Sequence, residues 1–305
     1  MTVLKTVPFR SSTGTELHRH IWQPEGEIRG ILQLTHGMAE HIARYDSLGK
    51  YLAEKGFLVV GHNHLGHGET ASVRGFFARK NGWDALLADM HTVRGETQRE
   101  HPKAPYFLLG HSMGSFLTRC YLQTHSKGLK GVVISGTGAF SALEVHLGLI
   151  LSKSLMLLGR GGKPAKIVDT LAFSANNKPF APAQTPFDWL SRDAALVKAY
   201  VDDPLCGFVF TANGYHDLFT GLARLTRPEP GMDTSVPMLF LSGARDPVGK
   251  SGAGMKKVAE KYRSTGVKDI TVKLYPEARH EVLNETNRQE VFFDLAAWLE
   301  EKAGD

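Results

Sequence analysis

The stretch that most constrains this chain is Gly110-His111-Ser112-Met113-Gly114. It follows the apolar run Tyr106-Phe107-Leu108-Leu109. It opens a segment with Met113, Phe116, Leu117, Cys120 and Tyr121 at helical spacing. A buried strand, a sharp turn with serine at its apex and then a helix predict a nucleophile elbow. Such a turn lifts the hydroxyl clear of the sheet, and glycines stand where strand and helix pass too close for a Cβ. The bare pattern also fits an ordinary strand-to-helix turn, so the serine's partners have to decide.

The chain around it has a strand–helix rhythm. Residues 2–7 and 15–23 predict a hairpin at a sheet edge, turning near Ser11 to Gly14. Residues 28–35, 57–60, 105–109 and 129–135 are mostly apolar runs, predicted as buried strands. Helical spacing over 45–52, 84–100 and 113–125 separates them, with Gly56 closing the first of these helices. Alternation of this kind predicts a parallel sheet covered on both faces. From about 138 to 212 the rhythm breaks: no strand is evident, and Pro164, Pro179, Pro182 and Pro186 interrupt apolar helical pieces. A helix at 213–225, a strand at 237–242, a helix at 251–263, a strand at 269–275 and a helix at 286–302 restore it. The expected organisation is an α/β core of residues 1–137 and 213–305, with a mostly parallel central sheet flanked by helices. A helical cap, 138–212, is inserted into it.

A serine hydroxyl needs a base to take its proton, and the base needs a group to orient it. In doubly wound hydrolases these follow the serine in the order acid, histidine, each in a loop after a strand. Strand 237–242 leads into Ser242-Gly243-Ala244-Arg245-Asp246-Pro247-Val248, which places Asp246. Strand 269–275 leads into Tyr275-Pro276-Glu277-Ala278-Arg279-His280, which places His280. Open α/β sheets collect ligands at the carboxyl ends of their strands, so Ser112, Asp246 and His280 share a rim. Asp246 before Pro247 also suits a plain turn. Asp202 and Asp203 are alternative acids, but they lie at the end of the insertion, not after a core strand. Two backbone donors for a tetrahedral oxyanion are expected at Met113 N–H and at Met38 N–H, the latter in the loop His36-Gly37-Met38-Ala39-Glu40-His41. The run His62-Asn63-His64-Leu65-Gly66-His67 has metallo-hydrolase spacing, yet Gly66 stands where that chemistry wants an aspartate. The expectation is a loop that shapes the site floor and holds no metal.

The chain has 305 residues, 42% hydrophobic and 22% charged, with formal charge +5. No dense Lys/Arg cluster interleaves with aromatics, which argues against nucleic-acid partners. Cys120 and Cys206 have neither metal-ligand spacing nor a disulfide framework, and Cys120 reads as buried. Met1 to Phe9 carries no apolar signal region, so a cytoplasmic location is expected. The longest apolar stretch, Leu147 to Leu158, is broken by Ser152, Lys153 and Ser154 and reads as too short to cross a bilayer. It suits either a helix packed on the core or a lid that lines an acyl tunnel or touches a lipid surface.

Five motifs, His36 to His41, Gly61 to Glu69, Gly110 to Gly114, Ser242 to Val248 and Arg279 to Glu285, occur in one order from about residue 30 to the C-terminus. Together the set resembles the monoacylglycerol lipase and lysophospholipase group of α/β-hydrolases, the serine aminopeptidase S33 group. The resemblance implies Ser112, Asp246 and His280 as a triad, Met38 and Met113 as oxyanion donors, and no cofactor. It implies an ester or lipid substrate of monoacylglycerol or lysophospholipid type, chosen by the cap. Peripheral membrane contact through that cap belongs to the lid reading of Leu147 to Leu158, and a helix packed on the core is the alternative. A short-chain carboxylesterase, an acyltransferase or a peptidase would use the same three side chains. Oligomeric state is not implied.

Overall fold

The amino-terminal hairpin, β1 (Val3–Arg10) and β2 (Glu16–Gln23), pairs antiparallel along its length, and β2 alternates between buried and more exposed positions. That alternation suits a sheet margin. The five strands beyond it, β3 (Gly30–Thr35), β4 (Phe57–His62), β5 (Tyr106–His111), β6 (Gly131–Ser135) and β7 (Met238–Gly243), are buried at every position. The last strand, β8 (Ile270–Tyr275), is only partly covered until Tyr275, as befits the other edge. This computed structural model describes residues 3–227 and 231–304. Residues 1, 2, 228–230 and 305, which the expected core ranges and first strand include, lie outside them.

The sheet has eight strands in the order β1-β2-β4-β3-β5-β6-β7-β8, parallel from β4 to β8. Successive residues of its interior strands feed two cores. Leu58, Val60, Leu108, Val132, Ile134 and Phe240 face one; Val59, Phe107, Leu109, Val133, Leu239 and Leu241 face the other. Helices α1 (Asp46–Glu54), α2 (Gly82–Glu100) and α3 (Met113–His125) precede β6. Between β6 and β7 the chain forms α4 (Ala142–Leu155), α5 (Lys166–Phe173), α6 (Ala194–Asp202) and α7 (Ala212–Leu225). Then come α8 (Ala253–Ser264) and α9 (Arg288–Gly304). Residues of α2, α3, α7 and α8 pack on the first core and those of α1 and α9 on the second, the two-faced covering that the apolar strand runs predicted.

The chain moves from β3 to β4 on one side and returns past β3 to β5 on the other. Strand order therefore reverses at β3, and the carboxyl ends of β3 and β5 flank the switch point at which open α/β sheets bind ligands. Among the boundaries that differ from expectation are the carboxyl ends of two strands. β4 runs on to His62 because Gly61 and His62 pair with His20 and Arg19 of β2, so sheet pairing overrides glycine's low strand propensity. β5 takes in Gly110 and His111, pairing them with Ile134 and Ser135, which brings the strand end right up to Ser112.

The apolar stretch around Leu147 to Leu158 also departs from expectation. A π-type turn at Met156–Arg160, kinked at Gly159 (φ 73°), follows α4, and the segment Ala142–Arg160, 19 residues, is long and apolar enough by length and composition alone to cross a membrane. The interruption by Ser152, Lys153 and Ser154 does not break it, because Ser152 Oγ donates to the Gly148 carbonyl at 2.7 Å and Ser154 Oγ to that of Ile150 at 2.9 Å. A capping box starts it: Ser141 Oγ accepts from Glu144 N–H, and the Glu144 carboxylate accepts from Ser141 N–H. One face, Val145, Gly148 and Ser152, is buried; a Cβ on Gly148 would overlap the ring of Phe219 in α7.

Candidate active site

Ser112 sits between β5 and α3 with φ 51° and ψ −118°, a conformation that costs a non-glycine residue about 1–3 kcal/mol. Neighbouring contacts hold it there. Ser112 N–H donates to the Ser135 carbonyl at 3.0 Å, and the Ser112 carbonyl accepts from Ser115 N–H at 2.8 Å and from Ser115 Oγ at 2.6 Å. The flanking glycines are steric requirements. A Cβ on Gly110 would run into the Gly114 carbonyl, and one on Gly114 into the Thr35 carbonyl. Met113 begins α3 and is buried.

Asp246 and His280 come together from the loops after β7 and β8. His280 Nδ1–H donates to Asp246 Oδ1 at 2.9 Å, with both residues buried. The same Oδ1 accepts Val248 N–H at 2.9 Å, which fixes the carboxylate. Burial disfavours a charged imidazole, but Asp246, with Glu281 and Glu40 adding to it, outweighs that and holds the His280 pKa above the ordinary histidine value. With its proton on Nδ1, His280 keeps a lone pair on Nε2, a buried atom that no described group hydrogen-bonds. A Cβ on Gly136, one residue past Ser135, would lie 3.1 Å from His280 Cε1, so the ring stands beside the strand end that anchors Ser112. The structure makes no hydrogen bond between Ser112 Oγ and Nε2. Such bonds are often long before substrate binds. Asp203, the alternative acid, faces His41 at 2.8 Å.

The loop after β3 lies against the elbow: a Cβ on Gly37 would be 3.2 Å from Ser112 Cβ. Gly37 N–H donates to Glu40 Oε1 at 2.5 Å and Ala39 N–H to His67 Nε2 at 3.2 Å, which commits the donors on either side of Met38. Since His67 Nε2 accepts, its Nδ1 carries the proton and donates to the Leu65 carbonyl at 3.1 Å. His36 is arranged the same way, accepting His64 N–H at Nε2 (3.0 Å) and donating from Nδ1 to the Gly37 carbonyl (2.9 Å). Burial keeps these rings neutral, lowering His62 to about 3 and His67 to about 4, with His36 and His64 also well below the ordinary value. Within the run, His64 and His67 hydrogen-bond to the loop after β3, whereas both ring nitrogens of buried His62 have no hydrogen-bond partner among the described residues. His111, beside His280 at 4.9 Å between ring centroids, is likewise pushed down to about 3 by burial.

Two further sets of residues complete the site, and neither follows from strand-and-loop spacing. Arg44 joins Glu40 (2.6 Å) to Glu281, the neighbour of His280, and so links the loop carrying Met38 to the loop carrying His280. Its guanidinium also lies over the Tyr200 ring of α6 at 4.7 Å. The second set is the segment before α6. The Trp189 carbonyl accepts His280 N–H at 3.3 Å, that of Leu190 accepts Glu281 N–H at 2.8 Å, and the Trp189 ring stands 5.0 Å from the imidazole. Buried Glu285 binds Arg192 Nε at 2.9 Å and Arg279 N–H at 2.8 Å, tying the same two segments. The only sequence signal for the first set is the placement of Glu40 and Arg44 four residues apart; for the second there is none.

The family described as serine aminopeptidase S33, Hydrolase_4, matches residues 26–287. A monoacylglycerol lipase of Mycolicibacterium smegmatis is 28% identical over 295 residues, spanning 95% of this chain and 95% of its own. The monoglyceride lipase of Homo sapiens is 25% identical over 301 residues, spanning 96% of this chain and 89% of its own. A solved thermostable carboxyl esterase from Bacillus coagulans, in complex with glycerol, aligns with TM-score 0.92 and 28% identity over 99% of this chain and 100% of that one.

Proposed function

This chain belongs to the Hydrolase_4 (serine aminopeptidase S33) family and has the α/β-hydrolase fold, and on that premise we propose that it is a serine ester hydrolase acting on monoacylglycerol-type lipids, with Ser112 as nucleophile. The observation that carries the assignment is His280 Nδ1–H donating to buried Asp246 at 2.9 Å, next to the strained serine. His280 Nε2 takes the Ser112 proton as Oγ attacks the ester carbonyl. Asp246 holds the ring and stabilises its charged form. The oxyanion takes Met113 N–H, at the start of α3, and Met38 N–H, whose neighbours Gly37 and Ala39 are already bonded. His280 then protonates the leaving alcohol, and water repeats the sequence to release the acid.

Residues 138–212 act as the substrate-selecting cap over a core of 1–137 and 213–305. Its segment before α6 is knit to the histidine loop and stays with the site, whereas α4 and α5 turn apolar side chains outward. Leu157 and Leu158, in the turn after α4, are 80% and 75% exposed, and Leu147, Ile150 and Leu171 are exposed as well. This face suits a peripheral contact with a lipid surface. A spanning role is disfavoured because Val145, Gly148 and Ser152 are buried on the other side of the same helix. The relatives' names, and the glycerol complex of the esterase, favour a monoacylglycerol over a lysophospholipid. An ester panel from acetyl to stearoyl, on glycerol and on lysophosphatidylcholine, tests this. A long-chain glyceryl optimum supports the reading, and an acetyl or butyryl optimum replaces it with a short-chain carboxylesterase.

A further inference from the structure

We propose that His41, Asp203 and Cys206 form a site for a borderline-soft divalent cation of the Zn2+ type, joining the loop after β3 to the turn after α6. The His41 ring nitrogen, an Asp203 carboxylate oxygen and Cys206 Sγ all lie within 4.8 Å of one another. They come from segments 162 residues apart, His41 on one side and Asp203 with Cys206 on the other. Their placement is held by backbone contacts. Cys206 N–H donates to the Asp203 carbonyl at 3.0 Å, setting two ligands on one tight turn. Asp203 Oδ1 is occupied by Leu205 N–H at 2.8 Å, so Oδ2 is the atom facing His41 Nε2, at 2.8 Å. The Ala39 carbonyl accepts from both Gly207 N–H (2.9 Å) and Tyr200 Oη (2.9 Å), which pins the turn to the His41 loop.

The donor set decides the ion. Imidazole nitrogen, carboxylate oxygen and thiolate sulfur together suit Zn2+, whereas Mg2+ and Ca2+ take oxygen ligands. Bond lengths of about 2.0 Å to nitrogen and oxygen and about 2.3 Å to sulfur set tetrahedral ligand atoms roughly 3.3–3.5 Å apart, so the His41–Asp203 pair opens by about half an ångström. Cys206 Sγ, within 4.8 Å of both atoms, closes by about an ångström at most. His41 and Asp203, 13% and 30% exposed at their side chains, leave a side open for entry and for a water in the fourth position. Arg44, the cation that bears on Cys206, is already engaged by Glu40 and Glu281. On binding, the thiol gives its proton to solvent, the His41 proton resides on Nδ1, and the ion replaces the hydrogen bond to Asp203. Ala39 adjoins Met38, so the bound ion would stiffen the loop that carries the proposed oxyanion donor. That consequence rests on the ester hydrolase reading, whereas binding itself does not.

The test therefore uses Ser112→Ala protein, in which turnover plays no part. Titration of the metal-free protein with Co2+ is expected to produce a thiolate-to-cobalt charge-transfer band in the near ultraviolet, displaced by Zn2+. Cys206→Ser should abolish the band and weaken Zn2+ binding by about tenfold or more, with Asp203→Asn and His41→Gln weakening it similarly, while Cys120→Ser leaves both intact. Zn2+ should raise the thermal midpoint of the Cys206-containing protein only. No band in the parent, a band that survives Cys206→Ser, or equal Zn2+ affinity in folded His41→Gln protein overturns the proposal, and the trio is then a simple His41–Asp203 pair beside a packed thiol.

Discussion

Arg44 and Glu281 meet in a two-point contact, Nη1 to Oε1 at 2.7 Å and Nη2 to Oε2 at 2.6 Å, with both side chains almost fully buried. Burial alone would raise the Glu281 carboxyl; the fork from Arg44 overcomes this and brings it down to about 2. Glu40 shares only one guanidinium nitrogen and moves the other way, raised by burial more than Arg44 lowers it.

Removing Arg44 leaves two buried carboxylates facing each other. Arg44→Ala should lose about 3–5 kcal/mol of stability in urea unfolding, because a buried charge stripped of its partner keeps its desolvation cost. Arg44→Lys keeps the charge but loses the fork, and should lower kcat/KM in protein that is still folded. Full activity in Arg44→Lys would show that the link between the two loops is dispensable.

Ser112→Ala should abolish fluorophosphonate labelling and reduce kcat by about 10^4-fold or more, since the rest of the site supplies only residual catalysis. Labelling at the parental level would move the nucleophile elsewhere.

The pH profile follows from His280. The base works when neutral, and its pKa is raised, so kcat/KM should fall as pH drops through a midpoint above about 6.5. Stability runs in the opposite sense. A folded-state pKa above the unfolded one stabilises the fold at pH below the unfolded value, and this contribution is lost as pH rises through the folded value. Asp246→Asn removes the main raising influence and should cost about 10^4-fold in kcat. An activity that is flat from neutrality down to about pH 4 would falsify the role of His280 as base.

Leu157→Glu with Leu158→Glu should spare hydrolysis of a dissolved short ester and weaken activity on anionic vesicles carrying monoacylglycerol. Each leucine withdrawn from an apolar phase forfeits about 1.5–3 kcal/mol, so vesicle partitioning should drop by about tenfold or more. Vesicle sedimentation reads this directly, and unchanged partitioning places the lipid contact on another face.

The order of strands and helices was legible because burial leaves a periodic trace in the chain. The runs ending at Leu109, Ser135 and Ser242 each lie on buried strands, and the glycines around Ser112 mark a turn whose Cβ positions are blocked. Strand ends were less legible. His62 and His111 read as loop residues until a neighbouring strand pairs with them.

By itself the sequence determined the elbow, the covered parallel sheet, and the placement of Asp246 and His280 in loops after strands, because each depends on residues within a few positions of one another. Tertiary structure alone decided which aspartate faces which histidine: Asp246 goes to His280 and Asp203 to His41. It also decided that Arg44 binds Glu281, 237 residues away, that Trp189 stands against the imidazole, and that Cys206 Sγ comes within 4.8 Å of a His41 ring nitrogen. Charges and thiols carry no periodicity, and what they do is set by the partner that folding brings within hydrogen-bond reach and by the water it removes.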